Sequence, residues 1–240
     1  MENQFERTEK LIGGEALKKL NASRVAVFGI GGVGGSCAEA LARMGIGRID
    51  LFDSDVVTLT NLNRQIVALH STIGRYKTEV MAERIKDINP ACKVGVYNIF
   101  YSPETAGEVD LSVYDSVVDA IDTVSGKVEL IVRAKAAGVN IICATGAGNR
   151  MDPTKFIVTD IYKTDTDPLA KALRKELRSR GIKDVKVVCS TEQPRDRGET
   201  ASKDSKVSVP GSRVPASNSF VPPAVGLILA AETVKYIVSK

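Results

Sequence analysis

The sequence has no CxxC pair. Its four cysteines, Cys37, Cys92, Cys143 and Cys189, stand far apart, which argues against a four-cysteine zinc site. A reducing, cytoplasmic setting is the simplest expectation for such a chain. There is one histidine, His70, beside a helix start, where a surface or capping role is expected ahead of general-base catalysis. There is little excess charge. Lys and Arg number 33 against 29 Asp and Glu, a net charge of +4, which admits an anionic partner without requiring one. Long apolar runs are missing too. The longest, 224–231, is too short to span a bilayer, and the opening MENQFERTEK lacks the apolar core of a secretory signal. No membrane association is expected. What is present is an ordinary globular composition over 240 residues, 43% hydrophobic and 26% charged, enough for one large α/β domain.

Strand and helix patterns alternate along the chain. Short apolar runs at 24–28, 48–52, 93–100, 116–120 and 139–144 read as strands. Helical spacing over 33–44, 76–88 and 126–137 falls between them. This repeated βα order predicts a Rossmann-like, doubly wound, mostly parallel sheet. The second half is less regular and reads as an irregular C-terminal extension. It holds a half-exposed strand over 155–161, a basic helix over 168–180, a short strand over 186–189, and a C-terminal helix opening at Pro222-Pro223. Between them, 190–218 is rich in Ser, Pro, Gly and charge. Such a segment is expected to be a mobile substrate loop, with Arg195, Arg197, Lys203, Lys206 and Arg213 reaching a polyanion. The expected organisation is a single domain over 1–240, with a nucleotide-binding core over about 20–150 and a substrate-side extension over about 151–240.

Three motifs carry chemistry. Gly29-Ile30-Gly31-Gly32-Val33-Gly34 joins a strand to a helix. Glycines there let the backbone approach a phosphate, and the helix start offers free N–H groups and a positive dipole. Asp53 closes the next strand about 20 residues on, where an acid takes ribose hydroxyls. This pair alone leaves NAD, FAD, ATP and S-adenosylmethionine open. The second motif, Asn61-Leu62-Asn63-Arg64-Gln65, follows Asp53-Ser54-Asp55, and Lys77 lies 13 residues past Arg64. An Arg and a Lys converging here suit the extra phosphates of a nucleoside triphosphate. The third, Asp119-Ala120-Ile121-Asp122, closes the fourth strand on the edge where open α/β sheets bind ligands. Asp119 is expected to cap the next helix, and Asp122 to hold Mg²⁺ against the phosphates.

In this order the motifs resemble the E1-like family of adenylate-forming enzymes, which includes the sulfur-carrier adenylating enzymes. The resemblance implies ATP held by Gly29, Gly31, Gly32, Gly34, Asp53, Asp55, Asn61, Arg64, Gln65 and Lys77, with Mg²⁺ on Asp122. Catalytic roles fall to Arg64, Lys77, Asp122 and Arg7. Arg7, in Phe5-Glu6-Arg7-Thr8-Glu9, matches the family's N-terminal arginine that reaches the phosphates of a neighbouring subunit, which implies a homodimer. The sulfur-carrier branch typically has paired CxxC motifs, absent here. The whole chain is instead similar to the tRNA threonylcarbamoyladenosine dehydratases. Shared stretches include Glu39-Ala40-Leu41-Ala42-Arg43, Ile88-Asn89-Pro90, Gly146-Ala147-Gly148, Asp167-Pro168-Leu169-Ala170, Ser190-Thr191-Glu192 and Ser219-Phe220-Val221-Pro222-Pro223.

That resemblance implies ATP-dependent adenylation of the carboxylate of threonylcarbamoyladenosine in tRNA, then cyclisation. The alternative is adenylation of the C-terminus of a ubiquitin-like sulfur-carrier protein. The partners so implied are a modified tRNA, a second copy of the chain and a sulfur-transfer protein. Some members carry a cysteine before the C-terminal helix. Here Ala216-Ser217-Asn218 stands in its place, which speaks against a thiol role there. Cys189, on an apolar strand, is expected to be core. The basic helix bearing Lys171, Arg174, Lys175, Arg178 and Arg180 is either a solvated face or a grip on a phosphate backbone.

Overall fold

The computed structural model describes residues 3–195 and 215–240. Its centre is one seven-stranded sheet in the order β3-β2-β1-β4-β5-β7-β6. The strands are β1 (Arg24–Phe28), β2 (Arg48–Phe52), β3 (Lys93–Tyr97), β4 (Ser116–Asp119), β5 (Asn140–Ala144), β6 (Phe156–Asp160) and β7 (Lys186–Ser190). All neighbours run parallel except β6, which pairs antiparallel with β7. The expected doubly wound sheet is therefore present. The second half of the chain adds two strands to its far edge instead of forming a separate sheet.

Period-two burial explains why β1, β4 and β5 sit centrally. Val25 and Val27 enter the core under one face, while Ala26 and Phe28 enter the core under the other. Val118 and Val117, and Ile142 and Ile141, divide in the same way. A strand buried on both sides must be covered by helices on both sides. On one face lie α2 (Gly14–Ala22), α3 (Gly32–Arg43), α4 (Lys77–Ile88) and α7 (Val221–Ser239). On the other lie α5 (Val124–Ala136) and α6 (Pro168–Ser179). A short α1 (Glu6–Ile12) precedes α2 and buries no residue. It was invisible in the sequence pattern because it has no apolar stripe.

The run 224–231, read as too short to span a bilayer, belongs to a longer apolar helix. α7, at 19 residues, is by length and composition able to cross a membrane, and half of that window is buried inside the fold. Its apolar surface has a different explanation. Val221, Val225, Leu229, Ala230, Val234 and Ile237 are buried in the core beneath the sheet. Contact with α3 is close because Gly226 has no side chain. A Cβ there would lie 2.3 Å from the Val33 carbonyl oxygen.

Strand order reverses between β1 and β4, since β2 and β3 lie on one side and β5, β7 and β6 on the other. The carboxyl ends of strands at such a point open a crevice. The loops after β1, β2, β4 and β5 all emerge there, and they contain all three motifs.

Candidate active site

A cavity of about 510 Å³ lies at this reversal point, within the range of small-molecule sites. Gly29, Gly31, Gly32, Asp53, Asp55, Asn61, Arg64, Gln65, Lys77 and Asp122 all line it. Two expected site residues do not. Gly34 sits beneath the glycine loop, where a Cβ would fall 1.7 Å from the Gly29 carbonyl oxygen. Its part is to let the loop and α3 pack closely. Arg7 is exposed on α1 and does not line the cavity of its own chain.

The glycine loop is held by its neighbours. Gly29 has φ of +86°, the left-handed region that favours glycine. Asp53 receives the Ile30 N–H at 2.6 Å and the Asp55 N–H at 2.8 Å, so the end of β2 is tied to the turn after β1. Burial pushes the Asp53 carboxyl above the usual range, against the pull of Lys77. α3 begins at Gly32 with no side-chain cap. Its first N–H groups are therefore available to an anion in the crevice.

The 53–77 excursion explains how Arg64 and Lys77 meet at one cavity. An isolated bridge pairs Val56 with Tyr76, and the Lys77 N–H donates to the Asp55 carbonyl at 3.1 Å. The chain thus leaves the sheet edge and returns to it. Within the excursion, Asn61 accepts the Thr58 N–H at 3.1 Å, and its carbonyl accepts from Arg64 and Gln65. This turn presents Arg64 and Gln65 inward. The Lys77 ammonium is buried and pairs with the exposed Asp55 at 2.6 Å. Arg64 donates to the Thr60 carbonyl at 3.0 Å and to Asn63 at 2.8 Å. Among the described residues, no carboxylate forms an ion pair with it, and burial lowers its pKa. Two buried polar atoms of the cavity wall, Gln65 Oε1 and the Tyr101 hydroxyl, lack hydrogen-bond partners among the described residues. A guanidinium without an acid and orphaned polar atoms are what a polar, anionic ligand would complete.

Several lining residues were not anticipated. Phe28, Phe52 and Tyr101 form an aromatic wall, with ring centroids 4.2 Å and 4.8 Å apart. In sequence Phe28 and Phe52 read only as strand core, and Tyr101 lies just past the strand expected over 93–100. From the other side, Ala147 and Gly148 join Pro215, Ala216 and Ser217. Backbone and side chain of Asn149 clasp Ala216 at 2.8 and 2.9 Å, and Asn63 donates to the Ser217 carbonyl at 3.2 Å. Asn218 in turn accepts the Val221 N–H at 2.8 Å at the start of α7. The C-terminal end of the expected 190–218 loop is thus anchored at the cavity. Arg197, Lys203, Lys206 and Arg213 fall outside the described residues.

Asp119 does not cap α5, whose N-cap is Thr123. It is fully buried and bonds the equally buried Lys127 ammonium at 3.0 Å. Lys127 also donates to the Ala144 carbonyl at 2.7 Å, and Asp119 accepts the Ile121 N–H at 3.1 Å. The pair ties the ends of β4 and β5 together and braces the turn that carries Asp122.

Asp122 itself is exposed at the cavity mouth. Among the described residues no group of three or more His, Cys, Asp or Glu is gathered for a metal. A lone carboxylate still fits Mg²⁺, which is usually held by one or two carboxylates plus substrate phosphates. His70 is exposed and away from the cavity. All four cysteines are buried, and burial pushes every thiol up, Cys92 to about 11. None of them is poised as a nucleophile. Native protein at pH 8 should accordingly resist iodoacetamide, while denatured protein should take four labels per chain, as read by intact mass. Rapid labelling of one cysteine in the native state would contradict this.

Comparison with known proteins places these features. The ThiF family model matches residues 5–240. A tRNA threonylcarbamoyladenosine dehydratase of Bacillus subtilis is 44% identical over 243 residues, covering 98% of this chain and 94% of that protein. The Escherichia coli protein of the same name is 46% identical over 176 residues, covering 73% of this chain and 66% of its own length. A crystal structure of the E. coli dehydratase in complex with ATP superposes with a TM-score of 0.84 at 38% identity, covering 98% of this chain and 94% of that one.

Proposed function

From the premise that the chain belongs to the ThiF family, we propose that it is an ATP-dependent tRNA threonylcarbamoyladenosine dehydratase. The observation that carries this reading is the meeting, at one crevice, of an uncapped glycine-loop helix with Arg64, which is partly buried and has no acidic partner among the described residues. A relative that covers nearly the whole chain bears that name, and one solved under ATP shares its fold.

The chemistry follows from the substrate. A carboxylate is a poor electrophile because its oxygen leaves badly. The carboxylate of threonylcarbamoyladenosine attacks the α-phosphate of ATP and pyrophosphate departs. The carbamoyl group of the same nucleoside then attacks the activated carbonyl, a ring closes, and AMP leaves with one former carboxylate oxygen. Well-oriented intramolecular attack reaches effective molarities of ~10⁵ M or more, so no enzyme nucleophile is needed. This agrees with four buried thiols.

The residues divide the work. Asp53 takes the ribose hydroxyls, and the aromatic wall of Phe28, Phe52 and Tyr101 receives the base. N–H groups at Gly31 and Gly32 cradle phosphate. Arg64 and Lys77 neutralise charge that builds on the phosphates during attack. Asp55 positions the Lys77 ammonium, while Asn61 and Gln65 shape the turn that carries Arg64. Asp122 would hold Mg²⁺, which supplies Lewis-acid stabilisation of the phosphate oxygens. Arg7 would serve the cavity of a second copy in a homodimer. The whole chain acts as one adenylating domain in the cytoplasm, with modified tRNA as its macromolecular partner.

The test is ATP–pyrophosphate exchange. Exchange should appear only with tRNA that carries threonylcarbamoyladenosine. Exchange driven by a ubiquitin-like carrier protein would favour the sulfur-carrier reading, with its sulfur-transfer partner, and the absence of any exchange would sink adenylation itself.

A further inference from the structure

α6 buries Ala170, Leu173 and Leu177 against the fold. Its outer side carries Lys171, Arg174, Lys175 and Arg178, spaced so that they share one face. These four and Ser179 border one open, shallow surface depression. Among the described residues none of the four forms an ion pair, and Glu176 on the same helix pairs with Arg180 just past its end. Like charges three and four residues apart disfavour a helix. An anion from outside would relieve that repulsion.

Two of the cations are pre-positioned. Arg174 donates to the Thr164 carbonyl at 2.8 Å and to the Thr164 hydroxyl. The Arg178 guanidinium lies 5.4 Å from the centroid of the Tyr162 ring. Fixing these long side chains in advance reduces the entropy lost on binding.

The helix also points away from the active site. Its N-cap, Asp167, accepts the Gly146 N–H at 2.6 Å, and the next two residues, Ala147 and Gly148, line the ATP cavity. From Lys171 to Arg178 the helix rises about 10 Å. That is about three steps of a nucleic-acid strand. A single phosphate would need only one or two of these cations, whereas a row of this length suits a polyanion. The face carries no large apolar side chain with which to enter a bilayer.

We propose that the outer face of α6 grips the phosphate backbone of the tRNA whose modified nucleoside enters the neighbouring cavity. This rests on the substrate class proposed above. The contact is sequence-independent: it sets the affinity and register of the tRNA arm, while the cavity reads the modification.

The test compares the wild-type chain with K171Q/K175Q/R178Q, which leaves Arg174 on Thr164. A control, K18Q/K93Q/K235Q, makes the same charge change at exposed lysines elsewhere. Affinity for tRNA is measured across salt concentrations, and ATP affinity is measured separately. The α6 variant should bind tRNA about tenfold or more weakly near 0.1 M salt, with a log–log salt slope shallower by about 2. ATP affinity should be unchanged, and the control should match wild type. If wild type binds tRNA and the α6 variant binds equally with the same slope, this surface is wrong while the substrate reading stands. If wild type shows no salt-dependent tRNA binding, both fall. An equal loss in the control, or preference for anionic vesicles over tRNA, would also overturn the proposal.

Discussion

Arg64→Ala should leave the nucleoside end of ATP bound and reduce acyl-adenylate formation by about 10²–10³-fold. Among the described residues Arg64 is the one arginine that lines the cavity, and burial already strips it of some water. In the free protein its donors go to a backbone carbonyl and to Asn63. The charge is therefore available in full to phosphate. Removing it takes away an interaction that strengthens as negative charge shifts onto the leaving pyrophosphate, so the loss should fall on the rate more than on binding. AMP affinity should change little, since AMP lacks the outer phosphates. Arg64→Lys should recover only part of the rate, because an ammonium cannot present a planar fork. Single-turnover adenylation with AMP binding measured beside it checks this. A folded Arg64→Ala protein with near-normal turnover would remove Arg64 from the mechanism.

Lys127→Met should be the most destabilising single change named here, at about 3–5 kcal/mol. It leaves Asp119 fully buried opposite a methyl group, in place of an ammonium at 3.0 Å. A domain's whole stability is about 5–15 kcal/mol, so the variant should unfold at much lower urea concentration. The paired change Lys127→Met with Asp119→Leu should recover much of the loss, since apolar replacement of both partners removes the stranded charge. It should not recover activity fully. Asp119 also receives the Ile121 N–H, and with that bond gone the turn bearing Asp122 loses its brace. Urea titrations of the single and double variants decide the matter. Equal stability of wild type and Lys127→Met would mean that the pair is not a structural pin.

This buried pair also marks where sequence reading stops. Asp119 looked like a helix cap because strand-end acids often are, and nothing in the sequence singled out Lys127 within its helix. Their partnership depends on how α5 lies across the sheet, which no local pattern encodes. By contrast, β1 and β2 were legible to the residue, at Arg24–Phe28 and Arg48–Phe52, because apolar alternation stopped at glycine and aspartate. β3 was read three residues too long, to Phe100. It ends at Tyr97, and Ile99, Phe100 and Tyr101 turn over the cavity instead. Their apolar character suits a ligand wall as well as a strand.

The same ambiguity hid the aromatic wall, since Phe28 and Phe52 satisfy a strand pattern whether or not a ligand lies beyond them. That Gly31, Gly32, Asp53, Arg64, Lys77 and Asp122 would come together was legible for the opposite reason, and all six line the crevice. Each occupies a loop or helix start where packing asks for nothing so specific. Gly34 was assigned to the ligand because it belongs to the same motif, yet the close approach it permits is to the Gly29 backbone. The 215–217 segment could not be placed at all without the Asn149 clasp.

The central claim is that this crevice activates a carboxylate on tRNA with ATP and closes a ring. Mass spectrometry of nucleosides is the most direct check, on tRNA carrying threonylcarbamoyladenosine after incubation with the protein and ATP. The nucleoside should lose one water, with AMP and pyrophosphate appearing in equal amounts and no change when ATP is omitted. An unaltered nucleoside after incubation with folded, ATP-binding protein would contradict it.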